Sequence, residues 1–166
     1  MASVTFKQEP VTLLGTEIKV GDTAPDFKVL SNNLETVTLD DHKGKVKLIT
    51  TVPSIDTGVC SEEVIRFNQE ADTIPNTQLL TISMDLPFAQ TRWCAANGVN
   101  NLETLSDHKD EDFGKNYGVL IEELRLLTRA VFVVDSNNKV TYVEYVSEVT
   151  DHPDYEKALE AAKAAE

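Results

Sequence analysis

The feature that most constrains this chain is a junction, Val46–Val52 running through Pro53 and Thr57 into Cys60. An apolar run with β-branched residues reads as a buried strand, and Pro53 ends it because proline donates nothing to a sheet ladder. Ser54 to Gly58 is turn-forming. A helical pattern then takes over near Val59, with Val59, Val64, Ile65, Phe67 and Ala71 as its inward stripe. Thr57 has the side chain of an N-cap, and Glu62 and Glu63 read as acids favoured by the positive end of a helix dipole. Strand, breaker, cap and helix commit the region to a βα unit and put Cys60 in the first helical turn. Backbone N–H groups and the dipole there favour a thiolate over a thiol.

The rest of the chain extends that unit. Residues 3–20 read as a two-stranded hairpin turning at Gly15, between Val11–Leu14 and Glu17–Val20. Strands follow at Asp26–Leu30 and Thr36–Leu39. After the Cys60 helix, Gln78–Met84 is a near-continuous apolar run, as expected of a central strand covered on both faces. A second helix begins with Asp85 as cap and Pro87 in its first turn, carries Phe88, Trp93 and Cys94, and stops near Gly98. Asn101–Ser106 reads as a short strand, and Asp107–Lys115 as a polar stretch with a short helix. Residues 119–128 show no clean period. Ala130–Asp135 and Val140–Tyr145 form the clearest hairpin, and Pro153–Lys163 is an alanine-rich closing helix. Strands, two βα units, a hairpin and a helix predict a thioredoxin-like α/β sandwich, a central mixed sheet flanked by helices, rather than a doubly wound fold. The expectation is one domain over residues 1–166, with residues 1–20 as an N-terminal hairpin extension.

Charge narrows the partners. With 15 basic and 28 acidic side chains among 166 residues the net charge is −13, which argues against nucleic acid and anionic membranes. No segment approaches the apolar length of a membrane span, and the first residues lack the pattern of a signal peptide. Two cysteines are too few for a disulfide scaffold, so a reducing, cytoplasmic setting is expected.

Cys60 and Cys94 have 33 residues between them, so neither a redox Cys-x-x-Cys motif nor a zinc pair is present. Three readings remain open from the residues: inert buried thiols, a structural disulfide, and a reactive pair in which one sulfur attacks and the other resolves. On the chain-entropy model the closed loop would contribute about 3.5–4 kcal/mol, but a reducing compartment works against it. A helix start alone raises thiolate content roughly 30-fold at most from the ~3% of a free thiol at neutral pH. Cleaving an O–O bond also needs donors aimed at the departing oxygen. Thr57, one turn from Cys60, and Arg129, at the head of the Ala130 strand, are candidates, although an arginine so placed is more often a rim ion pair. His42, His108 and His152 read as surface residues, Glu62–Glu63 as a dipole pair, Asp107–Asp112 as a solvated face, and Trp93 as core.

Pro53-x-x-x-Thr57-x-x-Cys60 resembles the active-site signature of the peroxiredoxins. Gly21–Phe27, Arg92-Trp93-Cys94 and Thr128–Asp135 narrow the resemblance to the bacterial thiol peroxidase subfamily, the atypical two-cysteine peroxiredoxins, over nearly the full length. The resemblance implies a peroxidatic Cys60, a resolving Cys94 and an intramolecular disulfide between them. It implies that Thr57 bonds the sulfur and the peroxide, that Arg129 stabilises the thiolate and polarises the O–O bond, and that Pro53 shields the sulfenate. It further implies a hydroperoxide substrate with a preference for alkyl hydroperoxides, thioredoxin as reductant, a homodimer, and no metal or organic cofactor. A redox-sensing switch using the same disulfide is the rival reading.

Overall fold

The computed structural model describes residues 2–165. The N-terminal part comprises β1 (Val4–Phe6), β2 (Glu9–Val11), β3 (Leu13–Leu14), β4 (Val29–Leu30) and β5 (Thr36–Val37). The centre holds β6 (Val46–Thr51), α1 (Gly58–Glu70), β7 (Thr77–Ser83), α2 (Pro87–Asn97) and β8 (Glu103–Ser106). The chain ends with α3 (Asp112–Asn116), β9 (Leu120–Ile121), β10 (Ala130–Val134), β11 (Val140–Tyr145) and α4 (Tyr155–Ala164). Seven strands make one mixed sheet in the order β11-β10-β6-β7-β8-β4-β5. The β6, β7 and β8 strands run parallel, and β10 runs antiparallel to both β6 and β11. This is the thioredoxin-like sandwich that the element order predicts.

Both faces of the sheet are covered, which is why β6 and β10 are buried along their whole length. Alternate residues divide between two cores. Val46, Leu48, Val131 and Val133 pack with Val64 and Phe67 of α1, Trp93 of α2, and Ala158, Leu159 and Ala162 of α4. Ile49, Ala130, Phe132 and Val134 face the other way, toward Phe27, Phe113 of α3 and Tyr117. Helices α1, α2 and α4 therefore share one face, and α3 with the N-terminal loops covers the opposite one. No helix among the described residues is long and apolar enough to cross a membrane.

The N-terminal hairpin is present, but it turns earlier than the sequence suggests. Strand β1 pairs antiparallel with β2, and Lys7 and Gln8 make the turn in left-handed conformations (φ 52° and 70°). Residues 17–20 form no strand. Leu13–Leu14 instead pairs with Leu120–Ile121, which explains why residues 119–128 have no legible period: β9's partner lies over a hundred residues away. Gly15 (φ +100°) serves close approach, since a Cβ there would collide with the Lys115 carbonyl. The predicted strand at Asp26–Leu30 shortens to β4, because Asp26 Oδ1 accepts from Phe27 N–H and Leu39 N–H ahead of it. The stretch Asp107–Asp112 is not wholly a solvated face. Asp107 is buried and accepts from the N–H groups of Phe113 (2.9 Å) and Gly114 (2.8 Å), anchoring α3. Burial pushes its carboxyl up to about 6, and those two N–H bonds offset part of the rise.

Candidate active site

Strand β6 delivers the chain to Pro53, which is buried, and the loop beyond it is fixed from the next strand over. Asp85, just past β7, accepts from Ser54 Oγ (2.7 Å), Ile55 N–H (2.9 Å) and Ser83 Oγ (2.7 Å). Asp85 is therefore the anchor of the Pro53–Thr57 loop and not the cap of α2, whose N-cap is Leu86. Ile55 plugs into the core below. Thr57 is the N-cap residue of α1 by backbone conformation (φ −99°, ψ 155°), but its Oγ1 donates to Ser54 O (3.1 Å) and caps no helical N–H. Cys60 is then the third residue of α1 and has no exposed surface.

Arg129 reaches Cys60 because of sheet register. Ala130 pairs with Thr51 across the antiparallel β10–β6 ladder, so Arg129 lies beside the end of β6. It is two residues before Val131, which faces α1, and strand alternation sends its side chain the same way. The arginine is 2% exposed, and each of its three guanidinium nitrogens donates one hydrogen bond. Nε donates to Val149 O (2.8 Å), Nη1 to Glu63 Oε1 (2.9 Å) and Nη2 to Cys60 Sγ (3.1 Å). Burial works against the arginine's charge, but Glu63 and Cys60 beside it hold its pKa above the usual value. It is no rim ion pair.

Glu63 corrects the dipole-pair reading. It lies in the second turn of α1, three residues after Cys60 and thus on the same helix face, and it is fully buried. Burial pushes its carboxyl up to about 7, Arg129 offsetting part of the effect. Its Oε2 has no hydrogen-bond partner among the described residues. Glu62, by contrast, is exposed and sits 3.2 Å from His152 Nε2. The signal for Glu63 was available in the sequence: an acid set into the stripe of Cys60, Val64 and Phe67 needs a buried cation.

Beside these groups opens a cavity of about 390 Å³ lined by Phe6, Pro53, Thr57, Val59, Arg129 and Val149. Its walls are mostly apolar, with two cationic side chains on its lining, Arg129 from the buried interior and Lys7 from the exposed hairpin turn. Cys60 lies behind that wall, between Arg129 and the core.

Cys94 stands apart. It is on α2, half-buried, with Sγ 3.5 Å from Thr104 Oγ1 of β8, and Thr104 Oγ1 donates to Asn32 Oδ1 (3.1 Å). Burial pushes its thiol up, and the Thr104 contact offsets part of that. It borders a separate cavity of about 220 Å³ with Asn32, Leu102 and Thr104. Both cysteines are free thiols, so the geometry brings together Pro53, Thr57, Cys60 and Arg129 and leaves Cys94 outside that group. Trp93 is core, as expected. No cluster of three His, Cys, Asp or Glu among the described residues is arranged to hold a metal ion.

The redoxin family model matches residues 19–159. A thiol peroxidase of Oceanobacillus iheyensis is 69% identical over 159 residues, covering 96% of this chain and 97% of that one. A thiol peroxidase of Bacillus subtilis is 62% identical, covering 99% and 98%. Among solved structures, a peroxiredoxin-like protein from Aquifex aeolicus superposes with a TM-score of 0.94 at 38% identity, covering 100% of this chain and 98% of that one. The thiol peroxidase from Chromobacterium violaceum gives 0.88 at 25% identity, covering 98% and 96%. Family match, near-complete relatives and superposed architecture agree with the residues gathered around Cys60, and the chain belongs to the redoxin family, within the thiol peroxidase branch of the peroxiredoxins.

Proposed function

We propose that this peroxidase reduces alkyl hydroperoxides and hydrogen peroxide through a Cys60 sulfenic acid and an intramolecular Cys60–Cys94 disulfide that thioredoxin reduces. The single observation that carries the reading is the buried Arg129 fork, with one nitrogen on Cys60 Sγ and another on Glu63. The Cys60 thiolate attacks the terminal peroxide oxygen. An S–O bond forms as the O–O bond breaks, the departing oxygen takes a proton and leaves as alcohol or water, and sulfur becomes sulfenic acid. Negative charge grows on that oxygen, and Arg129 is the cation placed to meet it. Thr57, whose hydroxyl now donates to Ser54 O, would turn to the peroxide, and Pro53 would keep water from the sulfenate. Cys94 then attacks the sulfenic sulfur, water leaves, and the disulfide forms.

Both cysteines are free in this conformation, so on this reading the second step takes place in a moved state, in which the first turn of α1 or the Cys94 helix has loosened. A thioredoxin dithiol returns both cysteines to thiols. The reading takes the chain as a single domain working in the cytoplasm as a homodimer and needing no cofactor. It is tested by mixing reduced protein with one equivalent of cumene hydroperoxide in a stopped-flow instrument. Consumption in milliseconds is expected. Consumption over minutes would favour the redox-sensing switch instead.

A further inference from the structure

The cavity beside Arg129 owes one wall to a part of the chain outside the matched family region. Phe6 and Lys7 belong to the N-terminal hairpin, and they border the cavity together with Pro53, Thr57, Val59 and Val149. The hairpin's own turn is a poor one. Lys7 and Gln8 both adopt left-handed backbone, a pairing that glycine and asparagine favour and longer side chains do not. Something outside the hairpin must hold it in place, and one carboxylate gathers the donors of its turn.

Glu148 follows β11. Its Oε1 accepts from Thr5 Oγ1 (2.7 Å) and Gln8 N–H (2.7 Å). Its Oε2 accepts from Lys7 N–H (3.2 Å), Thr150 N–H (2.9 Å) and Thr150 Oγ1 (2.6 Å). The donors come from both sides of a gap: the turn of the hairpin and the loop that bears Val149. Backbone bonds run alongside, Thr5 N–H to Ser147 O and Val149 N–H to Thr5 O, each 2.8 Å. The hydrogen bonds, those from Thr150 foremost, hold the carboxyl down at about 2, so the clasp stays ionised at any physiological pH. The same Val149 that the clasp steadies offers its carbonyl to Arg129 and its side chain to the cavity.

We propose that Glu148 is a positioning residue that seats the N-terminal hairpin as a wall of the hydroperoxide cavity, so that Phe6 selects hydroperoxides bearing a bulky apolar substituent. The inference rests on the peroxidase reading of the same site. Hydrogen peroxide is too small to touch Phe6 while reacting at Cys60, whereas an aryl or branched alkyl group must lie along the cavity wall. A lost apolar contact of that kind is worth roughly tenfold in discrimination.

The test is the ratio of kcat/KM for cumene hydroperoxide to kcat/KM for hydrogen peroxide, measured in the full chain and in Glu148→Ala, Glu148→Gln and Phe6→Ala. The ratio should fall about tenfold in Glu148→Ala and in Phe6→Ala, chiefly through KM. In Glu148→Gln, which keeps one acceptor oxygen, it should fall by less. Amide exchange at Lys7 and Gln8 should quicken in Glu148→Ala while the β6 amides stay protected, which separates a released hairpin from an unfolded protein. An unmoved ratio in both alanine variants overturns the proposal. A fall in Phe6→Ala alone removes Glu148 from it. A native protein that consumes neither hydroperoxide defeats the peroxidase reading beneath, a different result from an unmoved ratio.

Discussion

Cys60 and Cys94 sit on helices that follow neighbouring parallel strands, yet their surroundings are opposites. Cys60 has no exposed surface and a guanidinium nitrogen 3.1 Å from its sulfur, and that arginine is itself pinned by a buried carboxylate and a backbone carbonyl. Cys94 is half-buried against the apolar core, and its sulfur lies 3.5 Å from a threonine hydroxyl. Burial without a cation raises its pKa, so in this conformation it rests as a thiol. The proposed roles fit this contrast: the sulfur beside the guanidinium would attack, and the one without a cation would wait to resolve.

The contrast breaks most visibly if the two cysteines are exchanged for serine. Cys60→Ser is expected to abolish peroxide consumption, a loss of 10³-fold or more on the order of removing any enzymatic nucleophile. Cys94→Ser should consume one equivalent and then stall with thioredoxin as reductant. Steady turnover in Cys94→Ser, followed by NADPH-coupled assay, would show that a different thiol resolves the sulfenate.

The arginine fork sharpens the contrast at intermediate size. Arg129→Lys keeps the charge but cannot span Val149 O, Glu63 and Cys60 Sγ together, and kcat/KM should drop about 100-fold. Glu63→Gln should cost about tenfold by the same assay, since the neutral amide orients Arg129 less firmly. Glu63 also carries a pH signature. Its folded pKa of about 7 exceeds its ordinary value of 4.5, so the folded state binds more protons between those limits. Its contribution to stability is complete below 4.5 and is lost as pH rises through 7, on the order of 3 kcal/mol at most. Urea unfolding of the native protein and of Glu63→Gln between pH 5 and 8 should show the native protein losing ground as pH rises. A constant difference would remove Glu63 as the titrating group.

The smallest effect is expected at the quiet cysteine. Thr104→Val deletes its hydroxyl neighbour and should slow disulfide formation about threefold, an amount typical of one neutral hydrogen bond. The first oxidation step should keep its rate. If that step slowed as well, the two sites would not be separate in the reduced protein.

Much of this was legible in the sequence because the signals were local. The breaker Pro53, the helix start at Thr57 and the alternation of Ala130–Asp135 each lie within a few residues of what they decide, and β6, α1 and β10 follow them. Asp85 was visible as a helix-start residue, but not as the acceptor for Ser54 and Ile55, because that role depends on two parallel strands ending side by side. The dipole reading of Glu63 fails because helix-dipole logic applies to exposed acids, while the β10 register supplies a buried cation no sequence window contains. Leu13–Leu14 and Leu120–Ile121 illustrate the same limit: each strand is two residues long, and they pair across more than a hundred residues of chain. The hairpin is legible in the sequence but its turn is not, since Gly15 is the stronger turn residue and the N–H groups of Lys7 and Gln8 both rest on Glu148.

The order of strands has one more consequence. From β6 to β7 to β8 the chain steps in the same direction across the sheet. Crossovers between parallel strands share one handedness, so two successive steps in one direction place both connecting helices on the same side. Had the second step doubled back past β6, α2 would lie beneath the sheet and an intact wall of backbone would separate the sulfurs. As built, the helices that carry Cys60 and Cys94 pack into the same core on one face of the sheet. Under the proposed cycle, the two sulfurs would meet on one side of an intact sheet, with no strand having to part.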